Sequence, residues 1–237
     1  SSYNNTFLYP KKGAQVIIDI LMQKIKKEQI LLNTKVTYID EKNKEAKLSN
    51  GEVIQYENLI NTIPFNQFLM LFSNSKYSEL SNNLTYNKVL VFNLGFNKKS
   101  KYDKEHWIYI PDKNINFYRI GFYDNILNAD KLSMYIEIGY PKNQNIDEKE
   151  IKNQLDLTLK NLQKMQVIDD SFELIAFEHI TMDPAYVHIN TENSLQIKNV
   201  MQELQTNNIY SIGRYGGWTY CSMEDCMVEA KSLSSNL

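Results

Sequence analysis

Residues 209–227, I-Y-S-I-G-R-Y-G-G-W-T-Y-C-S-M-E-D-C-M, constrain the fold more than any other stretch of this chain. Apolar and polar residues alternate over 209–212, as in a short strand. Gly213, Gly216 and Gly217 follow, three of only eight glycines in 237 residues. Such clustering calls for positive φ or a close backbone approach. Gly216 or Gly217 is where a β-carbon is expected to be strained. Ser222 then reads as a helix N-cap with Asp225 three residues on, a weak capping box. Cys226, Met227 and Ala230 give the helix over 222–234 an apolar stripe. A strand that passes through glycines into a helix N-terminus is a ready site for anionic groups.

The arginine in this turn is unusual here. Arg119 and Arg214 are the two arginines among 26 basic residues. Where lysine serves almost every need for positive charge, an arginine marks a need for a planar fork that grips carboxylate or phosphate. A structural salt bridge or a carbonyl clamp is the alternative at each position.

Composition narrows the rest. A net charge of −2 gives no basic field for nucleic acid. No apolar run is long enough to span a bilayer. Cys221 and Cys226 lie five apart across a helix start, a spacing read as suiting neither a disulfide framework nor a zinc site. A reducing cytoplasm is the expected compartment.

In chain order, Val16, Ile17, Ile20, Leu21 and Ile25 repeat at helical spacing. Residues 30–63 change to short strands, with Asn50-Gly51 as a hairpin signal and Pro64 as a stop. A helix over 67–72 follows. The texture is β-rich over 86–139, read as one antiparallel sheet whose aromatics, on both faces, suggest a cavity on one side. Asp147 and Glu150 cap an amphipathic helix with Ile151, Leu155, Leu159 and Leu162 on one face. A strand over 172–180 turns out at residues 183–186, and a weaker helix spans 194–204. Neither a G-x-G-x-x-G nor a P-loop pattern occurs. The fold class is α+β. His106, His179 and His188 lack ligand spacing and read as structural.

Two segments resemble the FAD-dependent superfamily that includes flavin amine oxidases, protoporphyrinogen oxidase and UDP-galactopyranose mutase. The first is Y-P-K-K-G-A-Q-V-I-I-D-I-L with I-L-L-N-T-K-V-T-Y-I-D, S-N-G-E-V-I-Q-Y and L-I-N-T-I-P. It is similar in order to the family's middle section. The second is I-G-R-Y-G-G-W-T-Y-C-S-M-E-D, most similar to the mutase pattern G-R-x-G-x-Y-x-Y-x-D-M. This sequence departs from the family at Lys12, at Ser222 and at Trp218.

The resemblance implies that Gly213, Arg214, Gly217, Ser222 and Met223 face FAD, with the Met223 N–H toward the flavin pyrimidine edge. It implies a substrate side formed by Tyr118, Arg119, Tyr186, Trp218 and Tyr220, for a small molecule such as a nucleotide sugar. It names no catalytic side chain and no metal. It divides the chain into a partial FAD-binding domain over 1–72, a substrate domain over 73–190 and a returning FAD-binding strand and helix over 191–237. The dinucleotide loop that opens such proteins is absent, so the chain reads as the C-terminal part of a longer flavoprotein, one that on its own binds FAD weakly or not at all. The role implied is an oxidoreductase or a nucleotide-sugar mutase of bacterial surface-polysaccharide biosynthesis. The alternative is a non-catalytic domain that binds a nucleotide sugar or a protein.

Overall fold

The computed structural model describes residues 8–237, so the chain's first seven residues lie outside the account. Helices and antiparallel sheets make an α+β protein. Two compact units divide it, one of residues 8–32 and 89–182, the other of 33–88 and 183–237.

The first unit opens with helix α1 (Gln15–Met22), which buries none of its residues and leaves Ile18, Ile20 and Leu21 exposed. Its five-stranded sheet has the order β6-β7-β8-β5-β9, with β5 at Tyr86–Phe96, β6 at Trp107–Tyr109, β7 at Arg119–Phe122, β8 at Ser133–Pro141 and β9 at Leu174–Val187. Period-2 alternation sorts β7 and β8 into two faces. Ile120, Phe122, Met134, Ile136 and Ile138 form an apolar core with Leu90, Phe92 and Leu94 of β5. Helix α5 (Glu148–Lys164) covers that core with Ile151 and Leu162. It starts as its sequence indicates, the Asp147 carboxylate accepting from the Glu150 N–H at 2.8 Å. The opposite face carries Arg119, Gly121, Tyr135 and Glu137, which pair across the strands as Arg119↔Glu137 and Gly121↔Tyr135. Gly121 has no side chain because the Tyr135 ring lies within 2.0 Å of where its β-carbon would be. A short helix, α4 (Tyr123–Leu127), follows β7.

The second unit has a three-stranded meander, β1 (Val36–Asp40), β2 (Glu45–Leu48) and β3 (Val53–Gln55), and a parallel pair of β4 (Leu59–Asn61) with β10 (Ile209–Ser211). Helices α2 (Phe65–Leu69), α3 (Ser75–Asn83) and α6 (Thr191–Gln205) enclose Phe65, Phe68, Tyr77, Leu80, Val200 and Leu204. Helix α2 begins right after Pro64, and α3 is an element that the sequence reading did not anticipate. One expectation is corrected. Residues 183–186 do not turn the chain out of its strand, since β9 continues through a cis Asp183–Pro184 peptide to Val187. The chain closes with a one-turn helix, α7 (Gly213–Gly216), and α8 (Met223–Ser234). Among the described residues no helix is long and apolar enough to cross a membrane.

Several buried phenols tie stability to alkaline pH. Burial, with Asp183 accepting from the hydroxyl, pushes Tyr86 from its ordinary 10.0 to about 12. Burial does the same to Tyr135, opposed by the nearby Arg119 charge and assisted by Glu137. A raised folded-state value means the unfolded chain loses these protons first. Their contribution is therefore intact below pH 10 and disappears as pH rises through about 12. The urea midpoint should fall over that window, and the fall should be shallower in a Tyr86→Phe, Tyr135→Phe double variant. An identical alkaline slope in both proteins contradicts this.

Candidate functional site

The glycine turn is built on Asn61, at the end of β4 and only 4% exposed. Its side-chain amide donates to Ser211 Oγ at 2.7 Å and to the Ile63 carbonyl at 3.2 Å, and its own carbonyl accepts from the Ile212 N–H at 3.0 Å. Ser211 Oγ in turn donates to the Gly216 carbonyl at 2.8 Å. This network presses α7 onto β4. A β-carbon on Gly216 would meet the Asn61 carbonyl oxygen at 2.7 Å, and one on Gly217 would meet the Gly213 oxygen at 2.7 Å. Close approach thus explains Gly216 and Gly217, whereas the left-handed φ, +78°, falls on Gly213.

Arg214, Tyr186 and Tyr220, three of the residues singled out above, come together here. The guanidinium lies 4.4 Å from the Tyr220 ring centroid and 5.4 Å from that of Tyr186, and the two rings are 24° from parallel. Arg214 Nη1 donates to the Cys221 carbonyl at 3.0 Å. Among the described residues no carboxylate lies within ion-pair distance of Arg214, so its charge is held by ring faces and a carbonyl. Tyr220 is 69% exposed, leaving one side of this group open to a ligand.

Helix α8 starts as read. Ser222 Oγ accepts from the Asp225 N–H at 3.1 Å, while the Asp225 carboxylate takes the Ser222 N–H at 2.7 Å. The Ser222 N–H and then the Ser222 hydroxyl, both donating to it, hold the Asp225 carboxyl below its ordinary value. The cap satisfies the Asp225 donor, and the Met223 and Glu224 N–H groups have no acceptor within the helix. Gly213 N–H donates to Glu229 at 2.7 Å, so a carboxylate already occupies that backbone donor. A groove of about 510 Å³ beside α8 is lined by Glu224, Asp225 and Glu229, a lining that disfavours phosphate.

Trp218 is placed differently from the expectation. Its backbone takes φ +48°. The side chain is 3% exposed and meets Tyr86 edge to face at 6.2 Å. It is a core residue, and offers a ligand only its share of the wall of a cavity of about 430 Å³ with Lys198 and Met201. Cys221 and Cys226 are free thiols, and neither joins a group that could hold a metal among the described residues. The two sulfurs lie 3.5 Å apart. Cys221 precedes the helix, so its side chain folds back over the first turn instead of following helical periodicity.

Tyr118 and Arg119 form a second group, on the sheet of the first unit. Both donate to Glu137, the tyrosine hydroxyl to one carboxylate oxygen and Arg119 Nη2 to the other. Arg119 Nη1 also reaches the Tyr109 hydroxyl at 3.3 Å. Glu137 is 5% exposed. Sequence reasoning passed over it, although a carboxylate within Y-I-E-I-G signals a buried acid that needs a cation. Asn61 and Glu229 were passed over too, and nothing local marks either.

The Glu137 pair yields a stability prediction. Glu137→Ala removes the buried carboxylate that half-buried Arg119 and Tyr118 both donate to. The loss should be about 2–3 kcal/mol, less than the ~3–5 typical of a fully enclosed pair. Urea denaturation measures it, and a loss below about 0.5 kcal/mol, the level of an exposed pair, contradicts this.

Comparison with known proteins sets both groups in context. Residues 3–234 match the family described as flavin containing amine oxidoreductase. A crystal structure of reduced UDP-galactopyranose mutase superposes with TM-score 0.81 at 21% identity, covering 90% of this chain and 48% of that one. A protein assigned as protoporphyrinogen oxidase from Exiguobacterium sp. 255-15 gives 0.79 at 16%, covering 99% and 53%. A fatty acid isomerase from P. acnes gives 0.67 at 12%, covering 95% and 52%. At these identities the likenesses establish the fold. The chain spans about half the length of the solved structures it matches. With nearly its full length matched, it belongs to the flavin containing amine oxidoreductase family.

Proposed function

We propose that this chain forms the flavin-edge and substrate-side part of an FAD-dependent enzyme, an oxidoreductase or a nucleotide-sugar mutase. The observation that carries the reading is Arg214, a guanidinium without a carboxylate partner among the described residues, braced by two tyrosine rings beside a capped helix N-terminus. That arrangement suits a planar group with an anionic edge. In this reading Arg214 donates to FAD, Gly213 and Gly217 keep the backbone close to it, and Ser222 sets the angle of α8 so that the Met223 N–H points at the flavin. FAD, when bound, supplies the electron-transfer or nucleophilic chemistry. The chain's own residues position, neutralise and shield.

Tyr118, Arg119, Tyr186 and Tyr220 belong to the substrate side. The nucleotide-sugar class is supported by likeness to a mutase named for UDP-galactopyranose, and a role in bacterial surface polysaccharide is proposed on that class alone. Glu137 weakens the grip of Arg119 on phosphate, because it already neutralises that charge. The acidic groove beside α8 and the Glu229 contact to Gly213 favour a second reading, a binding domain without flavin chemistry.

Arg214→Lys in the full-length protein separates the two. Lysine keeps the charge and loses the fork. The FAD dissociation constant should rise about tenfold, equivalent to ~1.4 kcal/mol, with the melting temperature unchanged. Unchanged FAD affinity overturns the role given to Arg214. Full-length protein that takes up no flavin at all supports the binding-domain reading.

A further inference from the structure

Cys221 and Cys226 stand apart from the chemistry above. Both are free thiols, both half-buried, with sulfurs 3.5 Å apart. The stretch between them is the α8 capping box, whose Ser222 and Asp225 make three reciprocal hydrogen bonds of 2.7, 2.7 and 3.1 Å. This cap fixes the loop against the first turn of the helix and holds the two side chains facing each other. A disulfide needs the sulfurs at about 2.05 Å, so closure asks for small side-chain rotations.

We propose that Cys221 and Cys226 are a redox dithiol that closes to an intrachain disulfide when the oxidant is a small-molecule disulfide. A thiolate of the pair attacks the oxidant, breaks its S–S bond and releases one small thiol. The second cysteine, as thiolate, then attacks the protein sulfur of the mixed disulfide and expels the other. Two protein thiols are oxidised, two electrons reduce the oxidant to two thiols, and the cysteine protons end on those products. Burial, then the hydrogen bond with Cys226, then the Asp225 and Glu229 charges push the Cys221 thiol up to about 11. Attack through Cys221 is accordingly slow at neutral pH, since the thiolate is the reacting form.

The bond would brace the site as well as record oxidation. The Cys221 carbonyl accepts from Arg214, and a β-carbon on Gly213 would come within 3.9 Å of Cys226 Sγ. A bridge therefore ties the acceptor that orients Arg214 to the helix behind it. This effect on Arg214 rests on the function proposed above, whereas the disulfide itself does not.

The test is to equilibrate the protein with glutathione disulfide, quench in acid, unfold, and alkylate the remaining thiols. Alkylatable thiols should fall from two to none, with a mass two hydrogens lighter, no glutathione attached, and residues 221 and 226 joined in one peptide. Dithiothreitol should restore both. Cys226→Ser should instead stop as a glutathione adduct on Cys221. Two persistent thiols, a stable glutathione adduct on the unaltered protein or a disulfide-linked dimer each overturn the proposal. In the full-length protein, the same oxidation should change FAD affinity. Disulfide formation without such a change leaves the redox pair in place and removes only its coupling to Arg214.

Discussion

The second unit depends on one buried amide. A parallel pair of three-residue strands has little cohesion of its own, since parallel pairing is slightly the weaker kind and is normally enclosed on both faces. Here Asn61 adds what β4 and β10 lack. Its side chain bonds across the pair to Ser211 and along its own strand to Ile63, and its carbonyl receives Ile212. Ser211 passes the constraint to Gly216, and through α7 it reaches Arg214. The glycines are the complement of that amide. Any side chain at Gly216 would push α7 off the Asn61 carbonyl and move the guanidinium with it.

The first unit solves a different problem. Its sheet buries one face under α5 and leaves on the other a carboxylate, an arginine and several phenols. Desolvating a charge is costly unless it is paired and fully hydrogen-bonded. Glu137 meets that condition, with Arg119 on one oxygen and Tyr118 on the other. The same pairing limits what Arg119 can do for a ligand, because an arginine already neutralised attracts phosphate less strongly. The two arginines of this lysine-rich chain therefore have different standing. Arg119 is tied to an acid, and Arg214 is tied to rings and a carbonyl.

What the sequence made legible was local. The cap at Ser222 and Asp225, the cap at Asp147, the strand ahead of the glycines and the strand stop at Pro64 all depend on contacts a few residues apart, whereas the helix expected over 67–72 lies at Phe65–Leu69. The α+β class followed from the same signals. The closeness of Tyr186, Arg214 and Tyr220 was not foreseen: the resemblance put Arg214 beside FAD and the two tyrosines, 34 residues apart, on the substrate side. Pairings set by tertiary register stayed hidden. Glu137 meets Arg119 across a β ladder, Asn61 meets Ser211 from 150 residues away, and the two cysteines meet because the helix begins after the first of them. Trp218 was put on the substrate side by the family resemblance alone, and nothing local in the sequence announces that its ring is buried.

The central claim is that the turn and helix start over 213–224 form the edge that meets the flavin. Backbone amide exchange of the full-length protein, measured with and without saturating FAD, tests it most directly. The account predicts slowed exchange at Met223 and Glu224, whose N–H groups the helix itself leaves without acceptors, and in the α7 turn that carries Arg214. Protection confined to other parts of the protein, with 213–224 exchanging at the same rate in both states, would contradict it.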